Sequence, residues 1–245
     1  MTEPAHPAPT ALTASSAQPA SSAHPAGPPC PAYLRATRAA YDTVAASYAQ
    51  LVPPTFETDL YGRAMISAFA ELTRGAEAGP VADLGCGPGH VTAHLHALGV
   101  RAFGIDLSPE TVAVARRAHP NLRFDEGSMT ALDLADGVLG GVLAWYSTVH
   151  TPPELLPVVF AEFHRVLAPG GHLLLGFKAG DKIRHLENAY GHDLSLDVYW
   201  VSPDRVAELL DRAGLPVDAR MVREPTEQEK PVQGRQAYVM ARKPG

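Results

Sequence analysis

Three glycines at alternate positions, Gly85, Gly87 and Gly89, follow an apolar run (Val81–Leu84) that contains Asp83, and a second such run ends on Asp106. Glycine lets the backbone pass close to a ligand in conformations that a Cβ would strain. Asp106 stands 17 residues beyond Gly89, at the carboxyl end of the next strand. Its two acceptor oxygens there suit the two hydroxyls of a ribose. The chemistry is therefore recognition of a nucleoside-bearing cofactor. A dinucleotide fingerprint reads G-x-G-x-x-G and sets a pyrophosphate on a helix N-terminus, but here the third glycine position is His90. Asp83 is poor company for a diphosphate and suits a ligand carrying an ammonium group. It could instead anchor the loop by accepting backbone N–H bonds. Together these two residues argue against an NAD(P)-linked oxidoreductase.

A second group leaves the predicted fourth strand: Trp145-Tyr146-Ser147-Thr148-Val149-His150. In a doubly wound sheet, ligands lie at this carboxyl edge. A neutral His150 imidazole can take a proton from a hydroxyl or an amine. A lone histidine at such a place can equally be a hydrogen-bonded helix cap. Tyr41 and Tyr48 share a helical face, and His185, Tyr190, His192, Tyr199 and Trp200 crowd one irregular segment. That density suits a pocket enclosing an apolar or aromatic acceptor, or a lid with a small core of its own. No Cys-x-x-Cys or acidic cluster points to a metal. Thr151-Pro152-Pro153-Glu154 reads as a helix start.

These groups need elements to hold them. Residues 1–32 are almost wholly Ala, Pro, Ser, Thr and His, too poor in large apolar side chains to offset the entropy of ordering, and are expected to be a disordered tail. The domain is expected over 33–245. Tyr41, Val44, Ala45, Tyr48 and Leu51 predict an amphipathic helix from Tyr33 to Val52, ended by Pro53-Pro54. A second helix, about Asp59–Arg74, leads to strand Val81–Leu84. Strands are predicted at Ala102–Asp106, Asn121–Asp125, Gly141–Trp145 and Leu173–Phe177, alternating with helices. Ser108-Pro109-Glu110 and Ser202-Pro203-Asp204 are helix starts with an N-cap, an N1 proline and an acid at the positive end of the dipole. Val217–Val222 and Ala237–Ala241 follow with only a loop between them, so they should pair antiparallel. The pattern predicts an α/β doubly wound, mostly parallel sheet covered on both faces.

The chain has 245 residues, 46% hydrophobic, enough for one sizeable core. A net charge of −6 with scattered basic residues disfavours a nucleic-acid partner. No apolar run is long enough to span a bilayer, and the first residues lack a secretory order. Cys30 and Cys86 cannot form a disulfide framework. The expectation is a cytoplasmic protein, monomer or homodimer, with no membrane partner.

The run Val81–His90 resembles motif I of the class I S-adenosylmethionine-dependent methyltransferases, and Ile105-Asp106-Leu107-Ser108 resembles the acidic motif that follows it. The likeness extends over residues 36–243 and is to the small-molecule branch that includes ubiquinone and menaquinone biosynthesis. It implies a Rossmann-like seven-stranded sheet with an antiparallel C-terminal hairpin, S-adenosylmethionine as cofactor, and methyl transfer to oxygen, nitrogen or carbon of a small molecule. It implies cofactor contacts from Asp83, Gly85, Cys86, Gly87, Gly89, Asp106, Leu107, Ser128, Met129, Trp145 and Tyr146, with Trp145 or Tyr146 walling the sulfonium. Where the family commonly has Gly-Asp for adenine, this chain has Gly127-Ser128-Met129, a hydroxyl without charge. The family folds its N-terminal helices (33–75) over the cofactor and places a substrate-covering insert at 178–201. The resemblance therefore implies a substrate wall of Tyr41, Tyr48, His150, Tyr190, His192 and Tyr199. A protein that binds the cofactor but has lost the transfer is the other reading these motifs allow.

Overall fold

The computed structural model describes residues 31–74, 79–225 and 234–245; the expected tail, up to Cys30, lies outside them. Two helices come first, α1 (Ala32–Thr58) and α2 (Leu60–Thr73). The alternating part follows: β1 (Val81–Leu84), α3 (His90–Ala97), β2 (Ala102–Asp106), α4 (Pro109–Ala118), β3 (Phe124–Glu126) and β4 (Leu139–Trp145). Single 3-10 turns at Thr148–His150 and Pro153–Leu155 lead into α5 (Leu156–Val166) and β5 (Leu167–Lys178). A hairpin, β6 (Lys182–Ala189) and β7 (His192–Trp200), precedes α6 (Pro203–Arg212), β8 (Val217–Arg223) and β9 (Gln236–Arg242).

Seven strands form one sheet in the order β3-β2-β1-β4-β5-β9-β8. Pairing is parallel from β3 to β5, while β9 runs antiparallel between β5 and β8. The inner strands β1, β4 and β9 are buried nearly throughout because both faces are covered, whereas the edge strand β8 is largely exposed. In β5, Leu173, Leu175 and Phe177 face one core with Phe160 and Phe163 of α5, and Leu174 faces the other with Ile66 and Phe69 of α2. In β9, Val239 and Ala241 join the first core, Tyr238 and Met240 the second. Strand order reverses between β1 and β4, which opens a crevice at their carboxyl ends.

Three sequence expectations change. Pro53 and Pro54 do not end α1, which continues to Thr58. The two ladder bonds they remove fall on a stretch where Leu51 is 55% exposed, so water can take the freed carbonyls. For the same reason Leu51 is not on the buried face with Val44 and Ala45. Residues 178–201 form a hairpin. Its turn, Tyr190-Gly191, has φ of 54° and 81°, the two left-handed residues that a two-residue hairpin turn requires. In β7, Leu196, Val198 and Trp200 point inward at every second position.

Candidate cofactor and acceptor cleft

A solvent-open cleft of about 750 Å³ lies at the carboxyl edge of β1, β2 and β4. Its floor is Leu84, Gly85 and Gly87 from the first loop, Asp106 to Ser108 after β2, and Gly127 to Met129 after β3. One end is Trp145, Tyr146, Ser147 and His150, and α1 supplies the roof through Tyr33, Thr37, Arg38, Tyr41 and Tyr48.

The loop after β1 takes its shape from two glycines. Gly85 has φ of 71°, and a Cβ there would stand 2.3 Å from the Ser147 Cβ. Gly87 has φ of 56° and faces Tyr48. The Asp106 carboxylate holds this loop to the next: Oδ2 accepts from the Gly87 N–H and Oδ1 from the Ser108 N–H, each at 2.9 Å. Each oxygen keeps a lone pair for a ligand hydroxyl. Burial pushes this carboxyl up, while the N–H groups of Ser108, Gly87 and Leu107 oppose the rise.

Asp83 ties β1 to α3. It is 1% exposed and absent from the cleft wall, and its Oδ2 accepts a 2.6 Å bond from the Thr92 hydroxyl. Its Oδ1 has no partner. Burial pushes the carboxyl up to about 7, the Thr92 hydroxyl holds it down, and the Asp106 charge adds to the rise. Cys86 and Gly89 are also off the wall. The Cys86 side chain packs in a small core with Val112, Ala115 and Phe124, and a Cβ on Gly89 would strike Phe124. These two residues shape the loop from beneath.

After β4 the chain turns sharply, with Tyr146 at φ 53°. A non-glycine residue held there is strained, and its surroundings fix it. The Tyr146 hydroxyl meets that of Tyr238 at 3.2 Å, and Tyr238 donates to Asp59 Oδ2 at 3.1 Å. Trp145 stacks on Tyr238 with ring centroids 5.2 Å apart; Gly176 leaves room for the indole. Ser147 then lies on the cleft wall with its Oγ buried and unpartnered, ready for a polar ligand group.

The roof is tied down at three places. Ser108, the N-cap of α4, donates to Asp42 at 2.6 Å. Tyr41 meets His150 Nε2 at 2.9 Å, and Ser47 meets His192 Nε2 at 2.9 Å. The Tyr48 ring touches Tyr41 and Tyr190 edge-on at 5.4 and 5.0 Å. Of the expected acceptor residues, then, Tyr41, Tyr48 and His150 line the cleft, whereas Tyr190 and His192 brace the roof behind it. Tyr199 lines a separate apolar hollow with Val149, Phe160 and Val206. Tyr33, Thr37 and Arg38 are wall residues that the sequence reading missed. Tyr33 and Thr37 continue the face of Tyr41 at four-residue spacing, a signal that was available.

Among the described residues no group of His, Cys, Asp or Glu gathers to hold a metal, and no helix is long and apolar enough to cross a membrane. Residues 81–171 match a methyltransferase-domain family model. The chain is 34% identical over 137 residues to a demethylmenaquinone methyltransferase of Chlorobaculum parvum, covering 55% of this chain and 56% of that protein. It is 30% identical over 110 residues to a malonyl-[acyl-carrier protein] O-methyltransferase of Erwinia billingiae, covering 45% and 43%. The matched part is thus about half the length of these curated relatives. Among solved structures, 1,6-didemethyltoxoflavin-N1-methyltransferase of Burkholderia thailandensis, with 1,6-didemethyltoxoflavin and S-adenosylhomocysteine bound, superposes with a TM-score of 0.60 at 21% identity, over 90% of this chain and 94% of that one. The family match runs from β1 into β5, and the sheet wound in this order has the fold of that solved methyltransferase.

Proposed function

We propose that the protein transfers a methyl group from S-adenosylmethionine to a small-molecule acceptor. The observation that carries this reading is the pairing of Asp106 with the glycine loop. A carboxylate with free lone pairs faces a backbone whose Gly85 position has no room for a side chain. The unpartnered Ser147 hydroxyl on the same wall fits a ligand with a polar methionine end. When bound, the cofactor supplies an electrophilic methyl on a cationic sulfur.

The chain's own residues have six tasks. Asp106 and Leu107 hold the ribose and its base edge, Gly127, Ser128 and Met129 border the adenine, and Gly85 and Gly87 admit the backbone contact. Trp145 and Tyr146 present aromatic surface to the sulfonium. Tyr41, Tyr48 and His150 bound the acceptor, and α1 excludes water. Alignment of the reacting atoms within about 3–3.5 Å is itself worth about 7–11 kcal/mol of barrier. The α1–α2 segment (33–75) acts as the lid and 178–201 as its brace. Net charge of −6 with scattered basic residues speaks against a nucleic-acid partner, and the proposal includes a cytoplasmic enzyme, monomer or homodimer, without a membrane partner.

Calorimetry with S-adenosylhomocysteine and, separately, NADH tests the cofactor; tighter binding of the nicotinamide would end the proposal. Tritiated S-adenosylmethionine with a broad acceptor panel tests the transfer, and bound cofactor without transfer to anything would favour a silent binding protein.

A further inference from the structure

His150 is placed by two elements, β7 and α1. Its Nδ1 lies 2.8 Å from the Asp197 carbonyl oxygen of β7. A carbonyl only accepts, so Nδ1 carries the proton and Nε2 carries the lone pair. Nε2 lies 2.9 Å from the Tyr41 hydroxyl of α1, which therefore donates to it. The Tyr41 oxygen is left with lone pairs, and both residues line the cleft. A chain of one direction results, from the cleft through Tyr41 to His150 to the Asp197 carbonyl. Its open end asks for a hydrogen-bond donor.

Resting on the methyl-transfer reading, we infer that the acceptor presents a weakly acidic hydroxyl, phenolic or enolic, on a planar ring, and that Tyr41 and His150 relay its proton. The cleft carries aromatic surface, with Tyr48 edge-on to Tyr41 and with Trp145 and Tyr146 also on its wall. Among the described residues Asp106 is the one carboxylate on the cleft wall and Arg38 the one cation, and the Asp197 carboxylate near His150 is engaged by His185 off that wall, so a protonated amine would have Asp106 alone as counter-charge inside the cleft. The step balances. The acceptor oxygen gains the methyl as the carbon–sulfur bond breaks with its electron pair left on sulfur. The acceptor proton passes to the Tyr41 oxygen as the Tyr41 proton passes to Nε2. One positive charge disappears at sulfur while one appears on the imidazole, so the net charge of the site is unchanged.

The groups facing His150 agree with this. Burial lowers the imidazole to about 4 and keeps it neutral in the resting state. Lys178 of β5 adds to the lowering, while the Asp197 carboxylate and carbonyl oppose it. Burial holds the Tyr41 hydroxyl protonated. Tyr41 is a relay only with Nδ1 as the protonated nitrogen, and Asp197 is the positioning residue that sets it.

The test uses full-length protein and its Tyr41→Phe and His150→Gln variants with two sets of acceptors. One set is phenols and naphthols that are neutral at the assay pH, the other nitrophenols that are already ionised; matched anilines serve as the contrast. Both variants should lose about 10²–10⁴ in rate on the neutral phenols and keep most of it on the ionised ones. On neutral phenols the variants' rate should climb tenfold per pH unit, where the wild type is flat between pH 6 and 9. In ¹⁵N-histidine protein without ligand, His150 should show Nδ1 protonated and Nε2 bare, with the Nε2 signal shifted in Tyr41→Phe. Equal losses on both acceptor sets, no loss, transfer only to anilines or to none of the panel, or a protonated Nε2 would each overturn the relay. Calorimetry of wild type and variants with S-adenosylhomocysteine separates the two levels. Absent binding to wild type overturns the cofactor reading and the relay with it; retained binding leaves the relay to be decided by the acceptor rates.

Discussion

The buried carboxyl just before the glycine loop should lower the stability of this protein as pH rises from about 4 to about 7. Asp83 is 1% exposed, with one oxygen on Thr92 and the other without a partner. Unfolded, it ionises near 3.8; folded, near 7. A carboxyl whose folded pKa lies above its unfolded one contributes most below the unfolded value, and that contribution is lost by the time pH passes the folded value. At about 1.4 kcal/mol per pH unit, the loss from pH 4 to 8 is about 4 kcal/mol. Asp83→Asn removes the titration. Its amide can keep the Thr92 bond, and its NH₂ then sits unpartnered, at a cost of about 1–3 kcal/mol. Urea denaturation should find variant and wild type near parity at pH 5 and the variant ahead by about 2 kcal/mol at pH 8. A cation in the cleft should favour the ionised form, so preference for S-adenosylmethionine over its neutral product should grow through pH 7 in wild type and stay flat in the variant. The same pH dependence in both proteins, for stability and for this preference, would refute the assignment.

Three further outcomes follow from the cleft. Asp106→Ala should weaken S-adenosylhomocysteine binding by about 10- to 100-fold, the loss of about 1–3 kcal/mol of ribose hydrogen bonding, with circular dichroism confirming the fold. Gly85→Ala places a Cβ 2.3 Å from Ser147 at φ 71°; the left-handed backbone alone costs about 1–2 kcal/mol, so both Tm and product affinity should drop. Asp42→Ala frees the Ser108 hydroxyl from α1 and should speed release of S-adenosylhomocysteine about tenfold, as expected for a charged hydrogen bond of about 1.5 kcal/mol, measured by stopped-flow fluorescence.

The sheet was legible wherever local pattern dictates it. Val81–Leu84 and Ala102–Asp106 are short apolar runs closed by turn residues, and both are strands with those bounds. Ser108-Pro109-Glu110 starts a helix because a cap, a fixed φ and a favourable charge coincide, and the Ser108 oxygen accepts from Thr111 N–H as expected. The hairpin at 182–200 was not read because its exposed faces carry charge and its turn relies on Tyr190 in a left-handed conformation, which a tyrosine does not advertise. The length of α1 was missed because proline is a strong local stop signal, and exposure relaxed it.

The site divides along the same physical line. Its cofactor half is written within stretches of a few residues, since backbone curvature around Gly85 and Gly87 and a strand-ending Asp106 are demands that only certain residue types meet. The acceptor half is built from contacts between residues far apart in the chain: Tyr41 with His150 across 109 positions, Ser47 with His192 across 145. No local pattern encodes such pairs. The structure also gives them a joint role, because one helix, α1, carries Tyr48 over Gly87 and Tyr41 onto His150. Any shift of α1 that admits a ligand at the glycine loop therefore moves the Tyr41 hydroxyl relative to His150. The hairpin behind α1 is joined to the same helix through Ser47 and His192 and through Tyr48 and Tyr190.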